Sequence, residues 1–387
     1  METVYFDNNA TTAVAPEVFE AMTPFLTRLY GNPSSIHTFG GQVMAHIDQA
    51  RERLATLLGA QTSEVIFTSC GTESDNAALR SAMLTQKGRN KLVVSQVEHP
   101  AILNVAKDLE RNGTLVERLP VDTNGRLDME RAKELIDEQT ALVSVMWANN
   151  ETGNIQPVRE LAELAHSKGA LFHTDAVQAV GKVPMNLSEG WVDFLSLSGH
   201  KLHAPKGVGA LYVRRGVRFH PFVIGGHQED SRRAGTENVA SVVGLGMAAE
   251  LAAQNIDKEN TQVAKLRDRL EQGILNAIPE VRVNGDREHR LPNTTNISFE
   301  YIEGESILNL LDQFGICASS GSACTTGSLE PSHVLRAMGL PYTAAHGAIR
   351  FSLSRYNTLE EVDFVLEKLP PIIARLREIS PYWDQRR

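Results

Sequence analysis

The sequence predicts an α/β fold: a large domain built on a mainly parallel sheet covered by helices, followed by a smaller α+β domain. Three observations carry this. Short apolar runs at 65–67, 92–95, 142–146, 171–172 and 194–197 read as buried strands. Stretches with helical spacing, such as 129–137 and 158–167, lie between them, and that alternation is how a parallel sheet is built. Near residue 255 the pattern changes. The segment 260–278 sets Val263, Leu266, Leu270 and Ile274 on one face of a long amphipathic helix.

The second half then reads strand (296–299), helix (306–314, stopped by Gly315), strand (348–353) and helix (359–369). Thr358 with Glu361 three residues on forms a capping box that opens the last helix. The large domain is placed at 13–257 and the smaller one from 258 to 387.

Composition bounds the function. The 387 residues are enough for two domains, and 42% hydrophobic with 22% charged residues is a globular composition. A formal charge of −9 is the wrong sign for a nucleic-acid binder. No apolar run approaches the roughly 18–20 residues of a membrane span. The start Met1-Glu2-Thr3-Val4-Tyr5-Phe6-Asp7 lacks a basic stretch followed by an apolar one. Three cysteines without metal-like spacing fit a reducing compartment. A soluble cytoplasmic protein with no metal site is expected.

The residues at the ends of the strands are more informative, because ligands of open parallel sheets bind at the carboxyl ends of the strands. Strand 65–67 runs into Thr68-Ser69-Cys70-Gly71-Thr72-Glu73-Ser74, small residues at a helix start, where free N–H groups suit a phosphate. The next strands run into Glu98-His99-Pro100, Asn149-Asn150-Glu151-Thr152-Gly153, His173-Thr174-Asp175-Ala176-Val177-Gln178 and Ser198-Gly199-His200-Lys201. Any one of these has a bland reading, as a helix cap, a structural histidine or a solvated lysine. Five in succession on one sheet edge do not. Together they fit pyridoxal phosphate, which needs an amine to bond its aldehyde, an anion at its ring nitrogen, a phosphate cup and a ring against its face. Lys201, Asp175, the Gly71-Thr72 helix start and His99 are of those four kinds.

The chain resembles the class V, fold-type I pyridoxal-phosphate enzymes, and among them the NifS-type cysteine desulfurases. The resemblance runs from Tyr5-Phe6-Asp7-Asn8-Asn9-Ala10-Thr11-Thr12 to Ser380-Pro381-Tyr382-Trp383. Its most specific parts are Gly31-Asn32-Pro33-Ser34-Ser35-Ile36-His37, Ser198-Gly199-His200-Lys201, and Ser319-Ser320-Gly321-Ser322-Ala323-Cys324 before Ser328-Leu329-Glu330-Pro331.

The resemblance implies roles. Lys201 would hold the cofactor and move the substrate Cα proton, with His99 stacked on the ring and available as an acid–base group. Asp175 would pair with the ring nitrogen and Gln178 with the phenolic oxygen. Gly71, Thr72, Ser198 and His200 would hold the phosphate. Asn150 and Arg350 would bind the substrate carboxylate, a task suited to an arginine fork, and Asn32 is placed in the same substrate-binding set. Thr236, in Arg232-Arg233-Ala234-Gly235-Thr236-Glu237-Asn238, would reach the phosphate of a partner subunit, making the active unit a homodimer. Residues 1–12 would pack with the smaller domain.

Cys324 narrows the reaction. Residues 319–328 are small and polar, a composition that predicts a mobile loop, whereas a structural cysteine sits among apolar neighbours. Cys317 reads as structural at a strand start, and Cys70 receives no catalytic role. Cys324 is then expected to take the sulfur of L-cysteine as a persulfide, releasing L-alanine. The segments 369–377 and 383–387 resemble the nitrogen-fixation enzymes, which implies sulfur supply to iron–sulfur clusters of nitrogenase through a NifU-like scaffold. Two other readings are a selenocysteine lyase or related pyridoxal-phosphate lyase or aminotransferase, and a catalytically idle scaffold of the same fold.

Overall fold

A computed structural model describes residues 3–320 and 331–384, so Cys324 lies outside the described residues. In chain order the strands are β1 (Val4–Tyr5), β2 (Val65–Thr68), β3 (Lys91–Ser95), β4 (Leu115–Leu119), β5 (Thr140–Ser144), β6 (Leu171–Asp175), β7 (Phe194–Ser198), β8 (Gly209–Val213), β9 (Val281–Val283), β10 (Thr294–Phe299), β11 (Ile316–Cys317) and β12 (Ala348–Ser352).

Seven of them form one sheet in the order β2-β8-β7-β6-β5-β3-β4. Its pairings are parallel except those of β8, which runs antiparallel to both β2 and β7. The apolar residues of β3, β5, β6 and β7 are covered on both sides, as expected of parallel strands. Val93, Val143, Phe172 and Leu195 face one cluster, and Leu92, Val94, Leu142 and Phe194 the opposite one. Helices Gly71–Thr85 and Pro100–Arg111 cover the second face, presenting Ala78, Leu79, Ala82, Ile102 and Val105.

A separate antiparallel sheet has the order β12-β10-β9, and β1 pairs in parallel with β11. Their apolar side chains gather in another core, where Val4 and Phe6 join Leu270, Ile297, Phe299, Phe351 and Leu369. The helix Leu359–Ile379 closes this core and opens on the capping box of Thr358 and Glu361.

The passage between the two halves differs from the expectation of a separate amphipathic helix at 260–278. Val239–Lys258, a π-helical turn Glu259–Val263 and Ala264–Ala277 form one continuous helical run that crosses residue 258. By length and composition this run could cross a membrane, contrary to the reading that no apolar stretch approaches that size. Its valines, leucines and alanines are largely buried, and its glycines allow close packing. A Cβ on Gly246 would come 2.4 Å from Ala50 Cα, so the helix lies directly on Met44–Leu58. Val242, Leu245, Ala248, Ala249 and Ala252 belong to the main core.

Candidate active site

The carboxyl ends of β5, β6 and β7 and the start of helix Gly71–Thr85 enclose a cavity of about 290 Å³. Gly71, Thr72, His99, Asn150, Asp175, Gln178, Ser198, His200, Lys201 and Arg350 all line it. Residues scattered along most of the sequence are thus brought to one place by strand ends.

One corner of this cavity is built by the turn after β2. Cys70 is extended (φ −175°) and Gly71 starts a 15-residue helix, leaving the first N–H groups without helical partners. A Cβ on Gly71 would stand 2.8 Å from Val177 Cγ2, so only glycine fits between the two segments. Glu73, one residue past Thr72, accepts from Ser69 N and pairs with Arg233 at 2.9 Å, locking the turn. Ser198 ends β7. His200 bonds Thr11 Oγ1 through Nδ1 at 3.1 Å, and burial with nearby Lys201 brings its pKa down to about 4, leaving a neutral ring.

Asp175 ends β6 and accepts from Val177 N at 2.9 Å. Burial raises its pKa, against the pull of His99 and Lys201. His99 caps helix Pro100–Arg111. Its Nδ1 accepts the Ala101 N–H at 3.1 Å, and burial lowers its pKa, so the neutral ring carries its proton on Nε2. Gln178 donates Nε2 to Asn9 O at 2.9 Å, while its buried Oε1 has no partner among the described residues.

Lys201 sits in the short turn Gly199–Lys201 after β7. Its Nζ donates to Asn9 O (2.5 Å) and Ala10 O (2.6 Å). Burial, with the cations Arg350 and Lys182, brings its pKa down to about 7, so much of it is a free amine near neutrality. Arg350, on β12, donates Nη1 to Asn150 O at 2.9 Å and Nη2 to Asp7 Oδ1 at 2.6 Å.

Two expected residues are elsewhere. Asn32 is exposed, its Oδ1 accepting from Ser34 N, and Thr236 is exposed; neither lines the cavity. The segment holding Cys324 lies outside the described residues, yet both of its flanks reach this corner. Ser319 and Arg350 exchange backbone hydrogen bonds, and Ser332 donates to Glu151, the neighbour of Asn150.

Several lining groups were not expected. Asn9 and Ala10 reach the site because β1 and Ser352 hold the N-terminal segment across it. Cys70, expected beside the phosphate cup without a catalytic role, lines the cavity, with its Sγ 3.6 Å from Ser69 Oγ. Asp75, on the second turn of helix Gly71–Thr85, is buried there 3.6 Å from His173 Nε2, and burial plus the Asp175 charge raise its pKa. Asp75 lies four residues past Gly71, one helical turn along, which is the signal that could have found it.

Known proteins share this arrangement of sequence. The aminotransferase class-V family matches residues 4–365. A cysteine desulfurase of Gluconacetobacter diazotrophicus is 61% identical over 386 residues, covering 99% of this chain and 96% of its own. Cysteine desulfurase NifS of Azotobacter vinelandii is 59% identical over 385 residues with the same coverage. A solved structure of a NifS-like protein matches with a TM-score of 0.91 at 42% identity, over 97% of this chain and all of that one. The chain belongs to the aminotransferase class-V family and, within it, to the cysteine desulfurases.

Proposed function

We propose that this chain binds pyridoxal phosphate and converts L-cysteine to L-alanine, leaving the sulfur as a persulfide on Cys324. The observation that carries the reading is the meeting of Lys201, Asp175, His99 and Arg350 in one cavity beside a glycine-started helix.

The residues present fit the cofactor. The helix start and Ser198 offer donors for a phosphate, and the lack of a side chain at Gly71 lets Val177 pack closely against that helix start. Asp175 is a buried carboxyl placed for a ring nitrogen, and the positive charge of a protonated ring would favour its ionised form. Gln178 has a buried oxygen with no partner among the described residues and a second amide N–H for a ring substituent. Lys201 is a lowered-pKa amine of the kind that bonds an aldehyde. Bound there, pyridoxal phosphate supplies a sink for the electrons left when the substrate loses its Cα proton.

The chain's own residues do the rest. Arg350 and Asn150 hold the substrate carboxylate. Lys201, free as an amine above about pH 7, takes the Cα proton. His99 keeps Nε2–H as the one proton it can donate. The Cys324 thiolate attacks the substrate sulfur. An S–S bond forms as the Cβ–S bond breaks, the bonding electrons go to Cβ, and a proton added at Cβ, with the proton taken from Cα returned to Cα, completes alanine.

We assign residues 13–257 to the cofactor-binding unit, and 1–12 with 258–387 to the unit carrying Arg350 and Cys324. The active unit is read as a homodimer: Thr236, exposed on its own chain, would complete the partner's phosphate cup, and any Asn32 contact with substrate would have to cross the same interface. The NifS name of one relative supports a role in nitrogenase maturation, and we read the sulfur as supplied to iron–sulfur clusters with a NifU-like scaffold as acceptor. The free thiols of Cys70 and Cys317 suit a reducing cytoplasm.

The test is product analysis with L-cysteine and excess thiol, comparing the native chain with Cys324→Ala. Equal alanine and sulfide, both lost in the variant while the visible cofactor band persists, is the expected result. Pyruvate in place of alanine, or an active variant, would overturn it.

A further inference from the structure

Arg350 is only 3% exposed, and a buried cation needs a counter-charge. Among the described residues the carboxylate in direct contact is Asp7, which takes Nη2 through one oxygen at 2.6 Å. Nη1 bonds Asn150 O. A guanidinium carries five N–H groups, so these two bonds leave others for a second carboxylate.

The backbone of Asp7 is fixed on the strand that carries Arg350. Asp7 bridges Ser352, two residues beyond Arg350 on β12. Asn8 N donates to Ser352 O (3.0 Å), and Asn9 N to Ser352 Oγ (2.9 Å). Tyr5 closes the turn by donating its hydroxyl to Thr11 O at 3.0 Å. The pair is therefore held by strand pairing rather than by two free side chains meeting.

We infer that Asp7 is a positioning residue for substrate recognition, holding and neutralising Arg350 so that its remaining N–H groups receive the carboxylate of L-cysteine. This rests on reading Arg350 as the carboxylate anchor. It has a second consequence at Lys201, whose pKa Arg350 pushes down and Asp7 pushes up. Asp7 thus offsets the Arg350 charge at the lysine until a substrate carboxylate takes over.

The experiment is steady-state kinetics of the holoenzyme for Asp7→Ala, Asp7→Asn and Arg350→Lys, with a pH titration of the visible cofactor band without substrate. Asp7→Ala should raise KM for L-cysteine about tenfold, with kcat within about threefold. Asp7→Asn keeps an oxygen for Nη2 and should recover most of KM. Both should lower the pH midpoint of the band, because a negative charge is gone, a shift that a merely structural role would not give. An unchanged KM in Asp7→Ala, or unmoved midpoints in both variants, overturns the inference. If Asp7→Ala does not fold, the midpoint of Asp7→Asn decides. Arg350→Lys with unchanged KM would instead sink the anchor reading itself.

Discussion

Glu151 accepts a hydrogen bond from Ser332 Oγ at 2.5 Å, and both side chains are buried. Ser332 caps the helix His333–Ala337, accepting from Val334 N and Leu335 N. Glu151 sits in the loop that presents Asn150 to Arg350. One bond therefore ties the chain just after the Cys324 segment to the corner proposed for the substrate carboxylate. A helix this short holds its place through its cap and its packing against Val97 and Ala348.

Burial lifts the Glu151 pKa to about 7, with the Ser332 bond and the Arg350 charge opposing it. In the unfolded chain a glutamate titrates near ~4.3. The folded value is raised, so this group's stabilising contribution is present below pH ~4.3 and lost as pH rises through 7. Glu151→Gln keeps an acceptor for Ser332 and removes the ionisation. Urea unfolding should find the variant gaining on the native chain from pH 5.5 to 8.5, by about 1–3 kcal/mol at the upper end. A variant weaker at both pH values would mean that the ionised carboxylate is what the fold needs.

The approach of Gly71 to Val177 gives a steric test of the corner proposed for the phosphate. An alanine Cβ would sit 2.8 Å from Val177 Cγ2 and must displace it or the helix start. Overpacking of this kind costs about 1–3 kcal/mol. Gly71→Ala should weaken pyridoxal-phosphate binding by about tenfold or more in a fluorescence titration of the cofactor-free chain. Adding Val177→Ala should restore most of the affinity. No recovery in the double variant would place the defect elsewhere.

The parts of the fold and site legible in the sequence are those whose contacts are local. The strands β5, β6 and β7 announce themselves as apolar runs, and their polar endings alone point to Asn150, Asp175, Gln178, Ser198 and Lys201. The strand β4 escaped because it is a sheet edge whose Glu117 and Arg118 break the apolar run. β8 begins with a glycine and pairs antiparallel within a parallel pattern. Asn9 and Ala10 lay within the resembling segment but had no side-chain signal for this role, since they act on Lys201 through backbone carbonyls. Their place is set by the pairing of β1 with β11, near the other end of the chain, and no local property of Asn9 encodes that. Asp7 was legible only as part of a resemblance, its partner Arg350 being equally distant in sequence.

Lys201 offers a pH test that depends on this buried setting. An ordinary lysine, titrating near ~10.4, is almost wholly protonated at pH 7 and a poor nucleophile. Here burial and the cations Arg350 and Lys182 bring it to about 7, although Asn9 O and Ala10 O still accept from its Nζ. The free amine fraction therefore rises steeply below pH 7 and saturates above it. When pyridoxal phosphate is added to the cofactor-free chain, the rate at which the visible band develops should climb about tenfold per pH unit well below 7 and level off by about pH 8. Lys201→Ala should show no such band at any pH. A rate still climbing between pH 8 and 9.5 would mean that the amine keeps a near-normal pKa, and that the N-terminal carbonyls stabilise its charged form more than burial destabilises it.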